Sequence, residues 1–267
     1  MRQPSTLLMT VADHHGISFY LFDFDDNIMF LQTPIFLLNT LTRVVQSVGT
    51  GEFATIQPAL GRPGKWGDYA IFDGTYSNFR DIPEPASGQQ EYFVRDIISA
   101  IDAHASAWKG PSWDMFVHAC DKQRPLSIVT ARGHSAATLR AGVKVLADRG
   151  LIPREPNYHT VFPVGNPDVR RQLGDSDLMM TTPALKKVAI VKSVDRAIVD
   201  FASEADLHFG MSDDDPQNVQ LIIAAMRQCK TKYPDRRFFV IDTHPNEKVK
   251  LEVFPMNFAV TRVEQVG

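Results

Sequence analysis

Along the chain, short and nearly continuous apolar runs alternate with longer segments whose apolar residues recur every three to four positions. The short runs lie at Ile17 to Phe22, Pro125 to Thr130, Thr160 to Val164, Leu207 to Ser212 and Phe238 to Asp242. They are rich in aromatic and branched residues and read as strands, the first of them buried on both faces as in a parallel sheet. Between them lie helical patterns. One starts at Ser135, turns Ala136, Leu139, Val143 and Leu146 inward and closes at Gly150. A long one opens at Thr182 or Pro183 and carries a stripe of Ile190, Val191, Val194, Ile198 and Phe201. Another runs from about Gln217 to Gln228. Repeated strand-then-helix order predicts an α/β fold, a Rossmann-like parallel sheet flanked by helices. Lys248 to Phe254 reads as a final edge strand, with an antiparallel setting open.

The alternation is interrupted once. From about Thr33 to Lys109 the chain becomes aromatic and glycine-rich, as in Gly61 to Tyr69, and then passes Ile82-Pro83-Glu84-Pro85 into a helical stretch from Glu91 to Ala105. This predicts a sheet core from residues 1–33 and 110–267, with residues 34–109 inserted as a small β-rich unit.

Composition narrows the function classes. At 267 residues and 44% hydrophobic content the chain can bury a full core, and a formal charge of -3 offers no surface for a polyanion. Nucleic acid and anionic lipid are therefore not expected partners, and a small molecule is. Cys120 and Cys229 match no metal or redox spacing and read as buried thiols in a reducing compartment. No apolar stretch suits export or membrane spanning, so the expected location is the cytoplasm. Oligomeric state is left open.

Chemistry concentrates where two strands end. The first apolar run stops in Asp23, Asp25 and Asp26, and the fourth in Asp213, Asp214 and Asp215. Ligands of open α/β sheets bind at the carboxyl ends of the strands, and crowded carboxylates there repel one another unless a cation or proton intervenes. Oxygen-only donors favour Mg²⁺ over zinc.

Asp23-Phe24-Asp25, Thr130 at a second strand end within Val129-Thr130-Ala131-Arg132, a lysine near a helix start, and Gly210-Met211-Ser212-Asp213-Asp214 occur in that order. Together they resemble the haloacid dehalogenase superfamily of aspartate-nucleophile phosphohydrolases, over roughly residues 15–33 and 120–225. The resemblance implies a Mg²⁺-dependent phosphatase with an inserted cap. It makes Asp23 the nucleophile that forms an aspartyl-phosphate and Asp25 the general acid and base. Asp23, Asp25, Asp213 and Asp214 become the metal set, with a backbone carbonyl between the first two. Thr130 would donate to a phosphate oxygen beside the amide groups of the helix opening at Ser135, and Arg132 would reach a phosphate or a substrate carboxylate.

Three lysines compete for the cationic role: Lys186, Lys187 and Lys192. At about 100° per residue, Lys187 shares the face of Ile190, Val191, Val194 and Ile198, which makes it the expected site lysine. Asn27 stands where the family usually has Thr or Ser, and Met211 where many relatives have Asp. Asp215 is then an outer ligand shell or helix-capping residue, and Asp26 a solvated residue or local backbone cap. A phosphotransferase or phosphomutase of the same fold, a receiver-like domain, and a degenerate phosphate binder are the alternatives. Gly61 to Gly67 lacks the Ser or Thr and the flanking frame of a nucleotide loop, and the eight histidines lack metal-site spacing.

Overall fold

The computed structural model describes residues 16–103, 107–204, 206–243, 248–255 and 260–265. Strands β1 (Ile17–Phe22), β5 (Leu126–Thr130), β6 (Tyr158–Pro163), β7 (Leu207–Asp213) and β8 (Arg237–Asp242) form the parallel part of the main sheet. The strands β9 (Val249–Glu252) and β10 (Thr261–Gln265) extend it antiparallel, giving the order β10-β9-β8-β7-β1-β5-β6. The Lys248 to Phe254 segment is thus antiparallel as β9, but β10 and not β9 forms the edge. Because β5 and β6 lie on one side of β1 while β7 and β8 lie on the other, the strand order reverses beside β1. That switch point leaves a crevice at the carboxyl end of β1, where both acidic clusters emerge.

Period-two alternation in β1 feeds two cores. Phe19 and Leu21 face α6 (Thr182–Asp200) and α7 (Pro216–Lys232), packing with Leu185, Ile190, Val219 and Met226. Phe22, continued by Phe24, faces the opposite layer of α2 (Tyr92–Ala103), α3 (Trp113–Asp121) and α4 (Ala136–Asp148). Ser135 caps α4 by accepting from the Thr138 amide, as the sequence predicted. Gly142 leaves room on α4 for the Phe93 ring of α2.

The interruption is a separate small sheet. The antiparallel strands β2 (Ile35–Asn39), β3 (Val45–Val48) and β4 (Tyr69–Ala70) pair in the order β3-β2-β4, with α1 (Thr50–Ile56) beside them. Its own core holds Ile35, Leu37, Val48, Phe53, Ile56 and Trp66, with Tyr69, Tyr76 and Phe79 packed on it. That core ends near Phe79. Helix α2, inside the 34–109 insertion on the sequence reading, packs into the main core through Phe93 and Ile97. Helices α3 and α5 (Pro167–Leu173) were not read from the sequence. Both cysteines are buried free thiols, and none of the described helices is long and apolar enough to cross a membrane.

Candidate active site

Asp23 immediately follows β1 and is 8% exposed, because Phe22 and Phe24 on either side anchor the chain in the core. Its backbone N–H donates to the Ser212 carbonyl at 3.3 Å, which holds the ends of β1 and β7 together. Asp26 then takes a left-handed φ of 59°, tolerable for an aspartate, and its N–H donates to the Met29 carbonyl to reverse the chain. Asp26 thus shapes the turn through its backbone.

Asn27, fully buried in that turn, ties the site together. Its Nδ2 donates to the Asp23 carbonyl (3.2 Å), the Ser212 carbonyl (3.1 Å) and Ser212 Oγ (2.9 Å). Its Oδ1 accepts from Ser112 Oγ (2.7 Å) and Thr243 Oγ1 (2.9 Å). One amide therefore joins the ends of β1, β7 and β8 to the start of α3, satisfying donors and acceptors alike. Gly110 must lack a side chain here, since a Cβ would press on the Asn27 carbonyl.

Asp213, at the end of β7, is completely buried. Its Oδ1 accepts from the Asp215 N–H (3.0 Å) and Asn218 Nδ2 (3.1 Å). Asp215 caps α7 by accepting from the Gln217 N–H at 2.8 Å, the helix-capping role expected of it. Oxygens of Asp23, Asp213 and Asp214 lie within 4.8 Å of one another. Opposite ligands of an octahedral Mg²⁺ stand about 4.2 Å apart and adjacent ones about 3 Å, so the three oxygens would draw in toward one another to share an ion. The donors are hard oxygens, and Asp23 Oδ1 and Asp213 Oδ2 are buried without a hydrogen-bond partner. These residues fit a hard divalent cation.

The site lysine is Lys186, not Lys187. Lys186 is 4% exposed and its Nζ lies 3.2 Å from Asp23 Oδ2 and 3.6 Å from Asp213 Oδ2. Helix α6 buries Leu185, Lys186, Ala189, Ile190, Ser193, Val194 and Ala197. Ala189, Ser193 and Ala197, too small or polar to mark an apolar stripe, set the buried face one position back from Val191 and Ile198. Burial works against the ammonium, but the Asp23 and Asp213 charges outweigh it and hold the Lys186 pKa above its ordinary value.

One ammonium does not neutralise three carboxylates. Burial, reinforced by Asp213 and Asp25 against the opposing pull of Lys186, pushes the Asp23 carboxyl up to about 8. Burial and the Asp213 charge likewise raise Asp214 to about 7. The cluster therefore favours bound protons at neutral pH.

Thr130 ends β5, is 1% exposed, and accepts the Arg132 backbone N–H on its hydroxyl at 3.3 Å. Thr243, after β8, donates to Asn27. Arg132 departs from expectation. Its guanidinium grips Asp25 on both oxygens (Nε to Oδ2 2.8 Å, Nη2 to Oδ1 2.6 Å) and donates to Thr33 Oγ1 at 2.8 Å. Thr33 in turn donates to Asp96 at 2.5 Å. At 1% exposure, between the rings of Phe79 and Phe93 at 4.8 Å each, Arg132 is not an open substrate fork. The partner that the sequence sought in a substrate is supplied by the protein's own carboxylate. Consequently the Asp25 side chain stands outside the three-carboxylate group expected to include it.

The N-terminus of α4 also differs. The Ser135 N–H donates to Asp81 Oδ2 (3.0 Å), and the Gly133 N–H to the Phe79 carbonyl (2.8 Å). The segment after the small sheet thus takes amides expected to face a phosphate. His134, buried there with both ring nitrogens unpartnered, is held neutral by burial and by Arg132, with its pKa lowered to about 4.

Comparison of the chain with known protein families, curated proteins and solved structures gives no match.

Proposed function

We propose that the chain is a Mg²⁺-dependent phosphohydrolase of the haloacid dehalogenase type, which passes the phosphoryl group of a phosphate monoester to Asp23 and then to water. One observation carries this reading: two buried carboxylate oxygens, Asp23 Oδ1 and Asp213 Oδ2, lack hydrogen-bond partners beside Asp214, with only the Lys186 ammonium to offset the charge. Burying such oxygens unpaired is costly unless a ligand meets them. Asp23, Asp213 and Asp214 would hold the ion, which when bound supplies positive charge against the phosphate oxygens. Lys186 adds a fixed charge on the same side, and Thr130 is a hydroxyl donor at the adjacent strand end.

An Asp23 oxygen bonds to phosphorus as the bond to the ester oxygen breaks, and the departing oxygen takes a proton from Asp25. Water, deprotonated by Asp25, then displaces Asp23 and leaves inorganic phosphate. Arg132 orients Asp25 through both its oxygens and so acts as a positioning residue.

The test is phosphate release from phenyl phosphate by wild type and Asp23→Asn, with Mg²⁺ and with excess chelator. Release should need both Asp23 and Mg²⁺. Release that persists in the variant or in chelator overturns the proposal. The Arg132 grip supports a second reading, a chain that accepts phosphate on Asp23 and releases it slowly. Intact mass would then show phosphorylated protein accumulating during turnover.

A further inference from the structure

Resting on that reading, we infer that the substrate is the phosphate ester of a flat, apolar alcohol that carries a second acidic group, with the alcohol portion seated between the small sheet and the main sheet. Asp25 fixes the direction. A group that protonates the departing oxygen must face the leaving alcohol, and Asp25 lines a cavity of about 510 Å³. The cavity's other walls include Ile35, Phe53, Tyr76 and Phe79 from the insertion and the loop from Ala131 to Gly133, with Thr50 and Thr182 as hydroxyl-bearing members. The volume falls within the roughly 300–1,000 Å³ of sites that bury drug-sized ligands. Three aromatic rings on one wall suit a planar apolar body, which stacks on them at little entropic cost.

The cations of this cavity are not equivalent. Arg132 gives its Nε and Nη2 to Asp25, and its remaining Nη1 is buried without a hydrogen-bond partner. Arg170 is taken by Asp175 and by the carbonyls of Leu178 and Met180. Arg80, exposed at the rim, has no carboxylate partner among the described residues. Its guanidinium is the exposed cation placed to meet an anion at the far end of the alcohol, whereas Arg132 Nη1 lies buried beside Asp25 at the near end. A second cavity of about 350 Å³ lies on the opposite flank, beside Asp26, Lys109 and Asp214. It does not include Asp25, so an alcohol seated there would depart without its acid.

The probes are 4-carboxyphenyl phosphate, phenyl phosphate and glycerol 1-phosphate, together with the product alcohol 4-hydroxybenzoate for direct binding by calorimetry. kcat/KM should fall in the order given. Arg80→Gln should lower the preference for the carboxylated over the plain phenyl ester by roughly fivefold, the size of one exposed ion pair, and Arg80→Lys should restore part of it. Phe53→Leu, which keeps the insertion's core filled, should weaken both aryl esters against glycerol 1-phosphate. 4-Hydroxybenzoate should bind wild type more tightly than Arg80→Gln. Turnover of all three esters at equal efficiency, or an unchanged preference in Arg80→Gln, overturns this inference and leaves the phosphohydrolase reading standing. Binding of 4-hydroxybenzoate through Arg80 without turnover of any ester supports the cavity assignment and overturns the phosphohydrolase reading.

Discussion

In the absence of a divalent cation the protein should lose stability as pH rises from 6.5 to 8, and Mg²⁺ should remove that loss. Asp23 carries the argument. In the folded chain burial pushes its carboxyl from 3.8 up to about 8, whereas in the unfolded chain it is ionised well below neutrality. The folded state therefore binds the extra proton, and stability declines as pH rises until the folded carboxyl ionises near 8. Each such proton is worth about 1.4 kcal/mol per pH unit inside its window. Below pH 6.5 the buried, neutral His134, lowered to about 4, acts with the opposite sign, because there the unfolded chain gains the proton. The two trends offset one another between about 4 and 6.5, so the carboxyl stands clear only above that range. Over pH 6.5 to 8 the Asp23 share of the loss is about 2 kcal/mol at most, or roughly 4–8 °C in Tm for a chain of this length, and Asp214, raised to about 7, adds to it with the same sign.

Thermal melts at pH 6.5, 7.2 and 8.0, each in excess chelator and in Mg²⁺, measure this directly. The Mg²⁺ gain should be larger at pH 8.0 than at pH 6.5, since the ion displaces protons that are already leaving. Asp23→Asn should flatten the chelator series and be more stable than wild type at pH 8.0, while losing much of the Mg²⁺ gain. A chelated wild type whose Tm is the same at both ends of the range refutes the electrostatic account of the site. So does a variant that keeps the slope.

Lys186→Met, close to isosteric, should lower phosphate release at least about 100-fold by removing charge stabilisation, whereas Lys187→Met should stay near wild type in the same assay. Arg132→Ala leaves Asp25 without its buried partner and opens a gap between Phe79 and Phe93. Urea titration should show a loss of roughly 3–5 kcal/mol, and a loss below 1 kcal/mol would mean that water replaces the guanidinium freely.

The strands were legible because five apolar runs, each bounded by polar or turn residues, leave little choice of period. The acidic ends of β1 and β7 were legible for the same reason, since both runs stop in aspartates and both strands are parallel neighbours. Lys186 was not. Its face is defined by Ala189, Ser193 and Ala197, residues too small or polar to mark an apolar stripe, yet the helix packs most closely there. Helix α3 escaped because it starts in a loop that Asn27 and Gly110 organise through long-range contacts, which no local pattern encodes. The Asn27 hub was visible in the sequence as an amide where the resembled family has Thr or Ser, directly before the apolar Ile28-Met29 pair. Its partners Ser112, Ser212 and Thr243 lie 85 to 216 residues away.

Arg132 shows how the insertion and the site come to be one structure. A guanidinium at 1% exposure has lost its water, and its replacements come from three parts of the chain: the Asp25 carboxylate, the Thr33 hydroxyl, and the faces of Phe79 and Phe93. Each ring face is worth about 0.5–2 kcal/mol to a desolvated cation, and the carboxylate provides the larger share. Phe79 packs on the core of the small sheet, so that sheet supplies one of the faces that keep Arg132 dry. Withdrawing Phe79 would admit water and weaken the Arg132 grip by raising the local dielectric. The orientation of Asp25 is therefore fixed jointly by the main sheet, which carries Asp25 and Arg132, and by the inserted unit, which carries Phe79. The same unit supplies Phe53, Tyr76 and Arg80 to the cavity that Asp25 faces, so seating the insertion both shapes that cavity and positions the carboxylate beside it.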